Sequence, residues 1–173
     1  MISQTVVVNG VSKAYAMTGW RLGYAAGPAN LIAAAGRVQE HATSCVNSIT
    51  QKACVTALND EDDSIENMRQ QFEQRRNFLY SEMVKNQHLT CSKPEGAFYL
   101  FPNISWYLKH NKADIKTTDQ FCDALLEKHF VAVVSGSSFG SEGYVRFSYA
   151  NSMDNLVKGA ARFAEFLKDI RAS

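Results

Sequence analysis

The chain opens on a short β-branched run, Thr5-Val6-Val7-Val8, closed by Asn9-Gly10, which predicts a buried strand at residues 5–8 between turn signals. A second apolar run, Arg21-Leu22-Gly23-Tyr24-Ala25-Ala26, predicts another strand. Gly27-Pro28 follows it, and Pro suits the first position of a helix, where its missing N–H would have no partner in any case. Leu31, Ile32, Ala35 and Val38 supply that helix's apolar face. Ser48-Ile49-Thr50-Gln51 reads as a capping box opening a helix that runs to about Leu58, and the acidic residues 60–63 then interrupt the pattern. From Ser64 to about Asn86, Ile65, Met68, Phe72, Leu79 and Met83 recur at three- and four-residue steps, with one gap filled by Arg75 and Arg76. A helix of about 23 residues follows, roughly 34 Å long and able to bridge two domains.

After Lys93-Pro94-Glu95-Gly96 the elements shorten. Alternation predicts strands at 97–101, 131–134 and 144–149. Thr117-Thr118-Asp119-Gln120 is a second capping box opening a helix, and the last helix places Met153, Leu156, Val157, Ala160, Phe163, Ala164, Leu167 and Ile170 on one face. Together these patterns predict an α/β first part over residues 1–60, a connecting helix over 61–87 and an α+β domain over 88–173.

Composition narrows the function classes. The chain is 46% apolar and 20% charged, which suits a globular protein able to bury a core. Its 18 basic and 17 acidic residues are scattered, so no charged field points to nucleic acid or an anionic membrane. Cys45, Cys54, Cys91 and Cys122 lie far apart without a CxxC pair, which argues against a zinc site or redox dithiol and for free thiols in a reducing compartment. No apolar run approaches the roughly 20 residues of a membrane span, and the start lacks signal-peptide character, so a cytoplasmic location is expected.

A lone lysine near a strand end is usually a solvated surface residue. Lys13, however, sits among Val11, Ser12, Ala14, Tyr15, Ala16 and Met17, where partial burial would favour the neutral, nucleophilic amine. Arg21 lies beyond Thr18-Gly19-Trp20, and a turn at Gly19 would bring its planar fork back beside Lys13 to bind two phosphate oxygens. A Schiff-base lysine with a phosphate clamp describes a pyridoxal 5'-phosphate site. The alternative, Trp20 and Tyr24 as core residues with Arg21 snorkelling, accounts for the aromatics but not for the combination.

The run Gly10-Val11-Ser12-Lys13-Ala14-Tyr15-Ala16-Met17-Thr18-Gly19-Trp20-Arg21-Leu22-Gly23-Tyr24 resembles the cofactor-lysine signature of class I aminotransferases of fold type I. Similarity continues, in family order, through Pro94-Glu95-Gly96-Ala97-Phe98-Tyr99, through Val131-Ala132-Val133-Val134-Ser135-Gly136-Ser137-Ser138-Phe139-Gly140, and through Tyr144-Val145-Arg146-Phe147-Ser148-Tyr149-Ala150. The resemblance implies that Lys13 carries the cofactor and shuttles the substrate proton, that Arg21 binds the phosphate, and that Arg146 pairs with the substrate's α-carboxylate. Strand alternation puts Arg146 on the polar face with Tyr144 and Ser148; a surface ion pair is its alternative role. Gly10 stands where some members have a serine, and Asn9-Gly10 is similar to the prokaryotic-type aspartate aminotransferase subgroup, so no hydroxyl contact is implied there and Ser12 has no role.

The same resemblance implies a partial large domain, a homodimer in which residues 41–51 run near the interface, and amino-acid and 2-oxo-acid substrates. Aspartate and 2-oxoglutarate are the expected pair, with aromatic or prephenate-type acceptors the alternative. Family members carry a long N-terminal portion that supplies the acid on the pyridine nitrogen and the ring stacked on the cofactor. The chain therefore resembles a C-terminal part, expected to be nearly inactive alone, and a non-catalytic binding or assembly module is the competing class. Strands 5–8 and 21–26 are then expected to pair with another chain or to leave apolar surface open.

Overall fold

Two antiparallel strands, β1 (Val7–Gly10) and β2 (Gly23–Ala26), pair with Val7 opposite Ala26 and Gly10 opposite Gly23. Both lie in the first of the two units, Met1–Asn67 and Met68–Ser173, of a computed structural model that describes residues 2–59 and 63–171. Each strand is offset from its predicted run. Gly10 joins the ladder instead of ending the strand, and Arg21 adopts φ +54°, a left-handed conformation that cannot extend β2.

Two helices follow. Helix α1 (Ala29–Thr43) is capped by Pro28 and so starts one residue later than predicted, and the Pro28 carbonyl accepts from the Leu31 and Ile32 amides. Helix α2 (Ser48–Asn59) is capped by Asn47, not by the predicted Ser48 box. Asn47 Oδ1 accepts from the Ile49 amide at 2.9 Å and the Thr50 amide at 3.3 Å, while Gln51 Nε2 donates to the Val46 carbonyl. An asparagine carbonyl one residue upstream takes over the capping of the first turn from the serine hydroxyl. The acidic stretch lies, at 60–62, outside the described residues.

The strand predicted as buried is open. Val7 and Val8 are 56% and 77% exposed, because the sheet of this unit has two strands and nothing in the unit covers that face. Among the unit's described residues, Val11, Thr50 and Cys54 alone are buried. Val6, Trp20 and Tyr24 add to the apolar surface that these strands expose within the chain.

Helix α3 (Ser64–Val84) contains the division between the units. In the second unit, Leu79 and Met83 bury its apolar stripe, and Arg76 occupies the gap in that stripe. The Arg76 guanidinium is fixed by Glu73 at 3.0 Å and by the Pro94 carbonyl at 3.3 Å. The Tyr149 hydroxyl donates to the Ala97 carbonyl at 3.0 Å, so the turn at 94–97, with Ala97 at φ +59°, is tied at both ends.

That turn feeds β3 (Tyr99–Leu100), shorter than predicted because left-handed Ala97 stops it on one side. Helices α4 (Ser105–Lys109) and α5 (Thr118–His129) follow, and α5 carries the predicted Thr117–Gln120 capping box. Strand β4 is Val134–Ser135, not 131–134: Phe130 is left-handed at φ +56° and the Val131 amide still bonds to Leu125 in the helix. Strand β5 (Val145–Ser148) lies between β3 and β4, antiparallel to both. Helix α6 (Met153–Ile170) has the predicted bounds and buries Leu156, Ala160, Phe163, Leu167 and Ile170. Its stripe is rotated slightly: Phe166 is fully buried, and Val157 and Ala164 face solvent. These residues join Phe121, Leu125, Val145 and Phe147 in one core.

Asn47→Ala should destabilise the first turn of α2 by about 1 kcal/mol, read as faster hydrogen exchange at Ile49 and Thr50, while Ser48→Ala changes it little. Burial, aided by the carboxylates of Asp119, Asp123 and Glu142, pushes the Cys122 thiol up to about 11. Iodoacetamide at about pH 8 should therefore modify exposed Cys45 well before Cys122, whose rate should climb as the pH approaches that value; peptide mass spectrometry reads the order.

Candidate active site

The loop between β1 and β2, residues 11–22, is anchored by fully buried Val11, whose carbonyl accepts from the Tyr15 amide. The Lys13 carbonyl accepts from the Ala16 amide, and Ala16 is left-handed at φ +53°. A 3₁₀ turn over Thr18–Trp20 closes the loop. Arg21, left-handed, donates from Nη1 to the Thr18 carbonyl at 3.0 Å. The reversal is thus made by the 3₁₀ turn, which contains Gly19 as the spacing suggested, together with the left-handed Arg21 backbone. A non-glycine residue held there costs on the order of 1 kcal/mol, which the Thr18 hydrogen bond partly offsets.

Lys13 and Arg21 line one open concavity of about 540 Å³ together with Gly10, Ser12, Leu22 and Gly23. Part of its wall is bare backbone, since Gly10 faces Gly23 across the ladder. A Cβ on Gly10 would come within 3.0 Å of the Leu22 carbonyl oxygen, and one on Gly23 within 3.2 Å of the Asn9 carbonyl oxygen. The concavity is therefore lined by a lysine, an arginine and a serine beside two closely approaching glycine backbones. Lys13 is exposed, contrary to the partial burial expected from its neighbours. The loop buries Val11 and leaves Ser12, Tyr15, Met17 and Leu22 half-buried, and its remaining residues face solvent.

Arg146 belongs to the second unit. On β5, Val145 and Phe147 are buried while Arg146 is half-buried on the opposite face, as the alternation predicts. Its guanidinium carbon lies 4.4 Å from the centre of the Tyr99 ring and 4.6 Å from that of Phe139. Among the described residues it makes no hydrogen bond or ion pair, so the surface ion-pair alternative finds no acidic partner. Nothing in the sequence pattern paired these rings with Arg146. Both stood in motifs already singled out, but far apart along the chain, and only the sheet brings them together.

The family model for aminotransferase class I and II matches residues 2–163. This chain belongs to the class I and II aminotransferases. The aspartate aminotransferase of Geobacillus stearothermophilus is 46% identical over 166 residues, which cover 96% of this chain and 42% of the relative. An aspartate/prephenate aminotransferase of Nitrosomonas europaea is 43% identical, over 95% of this chain and 43% of its own length. The crystal structure of the aspartate aminotransferase from Rhizobium meliloti matches with a TM-score of 0.92 at 44% identity, covering 98% of this chain and 43% of that one. This aminotransferase chain thus spans 42 to 43% of the length of these relatives and has part of their α/β fold.

The glycine ladder gives the aminotransferase loop a sharp mutational signature. Gly10→Ala should weaken the β1–β2 pairing by about 1–3 kcal/mol through overpacking against backbone, seen as faster amide exchange across residues 23–26, whereas Gly19→Ala, with open space at its Cα, should not.

Proposed function

We propose that this chain supplies the cofactor lysine, a phosphate clamp and a carboxylate-binding arginine to a pyridoxal-phosphate-dependent aminotransferase acting on aspartate and 2-oxoglutarate. The observation that carries this reading is the single concavity lined by Lys13 and Arg21. The group and the concavity fit chemically. Pyridoxal phosphate has an aldehyde that an amine captures and a phosphate that a planar guanidinium grips through two parallel hydrogen bonds. The close approach of the two strands at Gly10 and Gly23 fixes the backbone that carries Ser12, Lys13 and Arg21 beside that concavity.

When bound, the cofactor supplies an electron-withdrawing ring beside the substrate's α-carbon. The chain's own residues do the rest of the work assigned to them. Lys13 would hold the cofactor through its amine and, once the substrate's amine has displaced it, would take the proton from the substrate's α-carbon and return it as general base and acid. Arg21 fixes the phosphate. Arg146 donates in its own plane to the two oxygens of the α-carboxylate, which orients the α-carbon.

Residues 1–60 are assigned to the cofactor-binding large domain, 61–87 to the interdomain helix and 88–173 to the small domain. The division of the chain after Asn67 and the self-contained core of the second unit support this. A homodimer is supported by the apolar side chains left open on the first unit. A cytoplasmic location is supported by four free cysteines, and no described helix is long and apolar enough to cross a membrane. The Nitrosomonas relative supports prephenate as a second acceptor.

Incubation of the chain with pyridoxal phosphate, followed by borohydride reduction and peptide mass spectrometry, should place the adduct on Lys13 ahead of the other lysines. Arg21→Leu should reduce that labelling several-fold, to the level obtained with pyridoxal, which lacks the phosphate. Equal labelling across all lysines would refute the assignment.

A further inference from the structure

We infer that Tyr99 and Phe139 form an aromatic clamp that holds Arg146 flat and charged with its hydrogen-bonding edge open, making them positioning residues for carboxylate recognition. The inference rests on the proposed role of Arg146 and adds the means by which that role is achieved. The ring centres lie 4.4 and 4.6 Å from the guanidinium carbon, well inside the roughly 6 Å range of cation–π attraction. An arginine can be held by a carboxylate or by rings, and the two differ in consequence. A carboxylate partner would occupy the in-plane N–H donors and neutralise the charge. Rings attract the cation without neutralising it, and among the described residues no hydrogen bond or ion pair occupies the Arg146 N–H donors. The rotamer freedom that a long side chain loses on binding is then already given up before the ligand arrives.

Both rings are themselves fixed. Tyr99 pairs with Ser148 across the β3–β5 ladder, which makes it the diagonal neighbour of Arg146 on the same face. Phe139 ends a 3₁₀ turn over Gly136–Phe139, and its ring meets the edge of Phe101 at 6.2 Å and 82°. That turn is tethered to the start of α5: Ser137 Oγ donates to Asp119 Oδ1 at 2.8 Å, and Glu142 Oε1 accepts from the Thr118 amide and hydroxyl at 2.6 and 2.8 Å. Gly136 permits the turn, since any Cβ there would overlap the Ser141 carbonyl oxygen. The clamp is therefore built from two parts of the fold, strand β3 and the turn after β4, on either side of β5.

The test titrates the full chain with succinate and follows the Arg146 side-chain Nε–H resonance and the backbone amides of β4 and β5 by NMR. In the unsubstituted chain, the Nε–H should be shifted upfield by the two rings, and succinate should perturb it. Tyr99→Leu and Phe139→Leu should each weaken succinate binding by about two- to fivefold, and the pair by about tenfold. Tyr99→Phe and Phe139→Tyr, which keep a ring, should bind within about twofold of the unsubstituted chain. Arg146→Gln should abolish the response at the β4 and β5 amides. No succinate response in the unsubstituted chain, or one that survives Arg146→Gln, defeats the carboxylate reading of Arg146 and the clamp with it. A response that needs Arg146 but is unchanged in the leucine variants overturns the clamp alone. Phe139 is 49% exposed and outside the core, so Phe139→Leu decides the matter should Tyr99→Leu fail to fold.

Discussion

The period-two alternation of β5 is the constraint on which the second unit depends. Val145 and Phe147 point into the core, Arg146 points away, and both neighbours of the sheet take their register from this one strand. A slip by a single residue would drive a cation into an apolar core and strand two large hydrophobic groups in solvent, a penalty of several kcal/mol. Packing thus enforces register, and register delivers the arginine to its rings. Helix α6 completes the arrangement by laying Phe163 against Phe147, 4.8 Å between ring centres.

The first unit works differently. With three buried residues among those described, it has little packing to hold its loop, and the geometry of Lys13 and Arg21 rests on backbone instead. Gly10 and Gly23 face each other across the ladder, a 3₁₀ turn reverses the chain, and Arg21 sits left-handed with its own side chain returned to Thr18. Hydrogen bonds and glycine sterics fix the local path where a core does not, and the side chains they present stay exposed.

What was legible in the sequence follows the same division. Helix α6 and the Thr117 cap were readable because each is a local pattern repeated over many residues or completed within four. The cap of α2 was displaced by one because Asn47 and Ser48 are both good caps and only geometry chooses between them. Strand ends were misplaced wherever a non-glycine residue turned left-handed, at Arg21, Ala97 and Phe130, since nothing in those residue types announces a positive φ. Lys13, Arg21 and Arg146 stood out through motif context. Their surroundings did not: the rings on Arg146 come from a strand and a turn far apart in the chain, and Lys13 is exposed because its loop buries Val11 alone.

The open edge of Arg146 carries a consequence for selectivity. In the role proposed for it, a guanidinium packed against two rings would recognise the planar, two-oxygen group that amino acids and 2-oxo acids share, and would sense nothing further along the molecule. Such a device would grip without choosing. Discrimination among side chains would then fall to groups elsewhere.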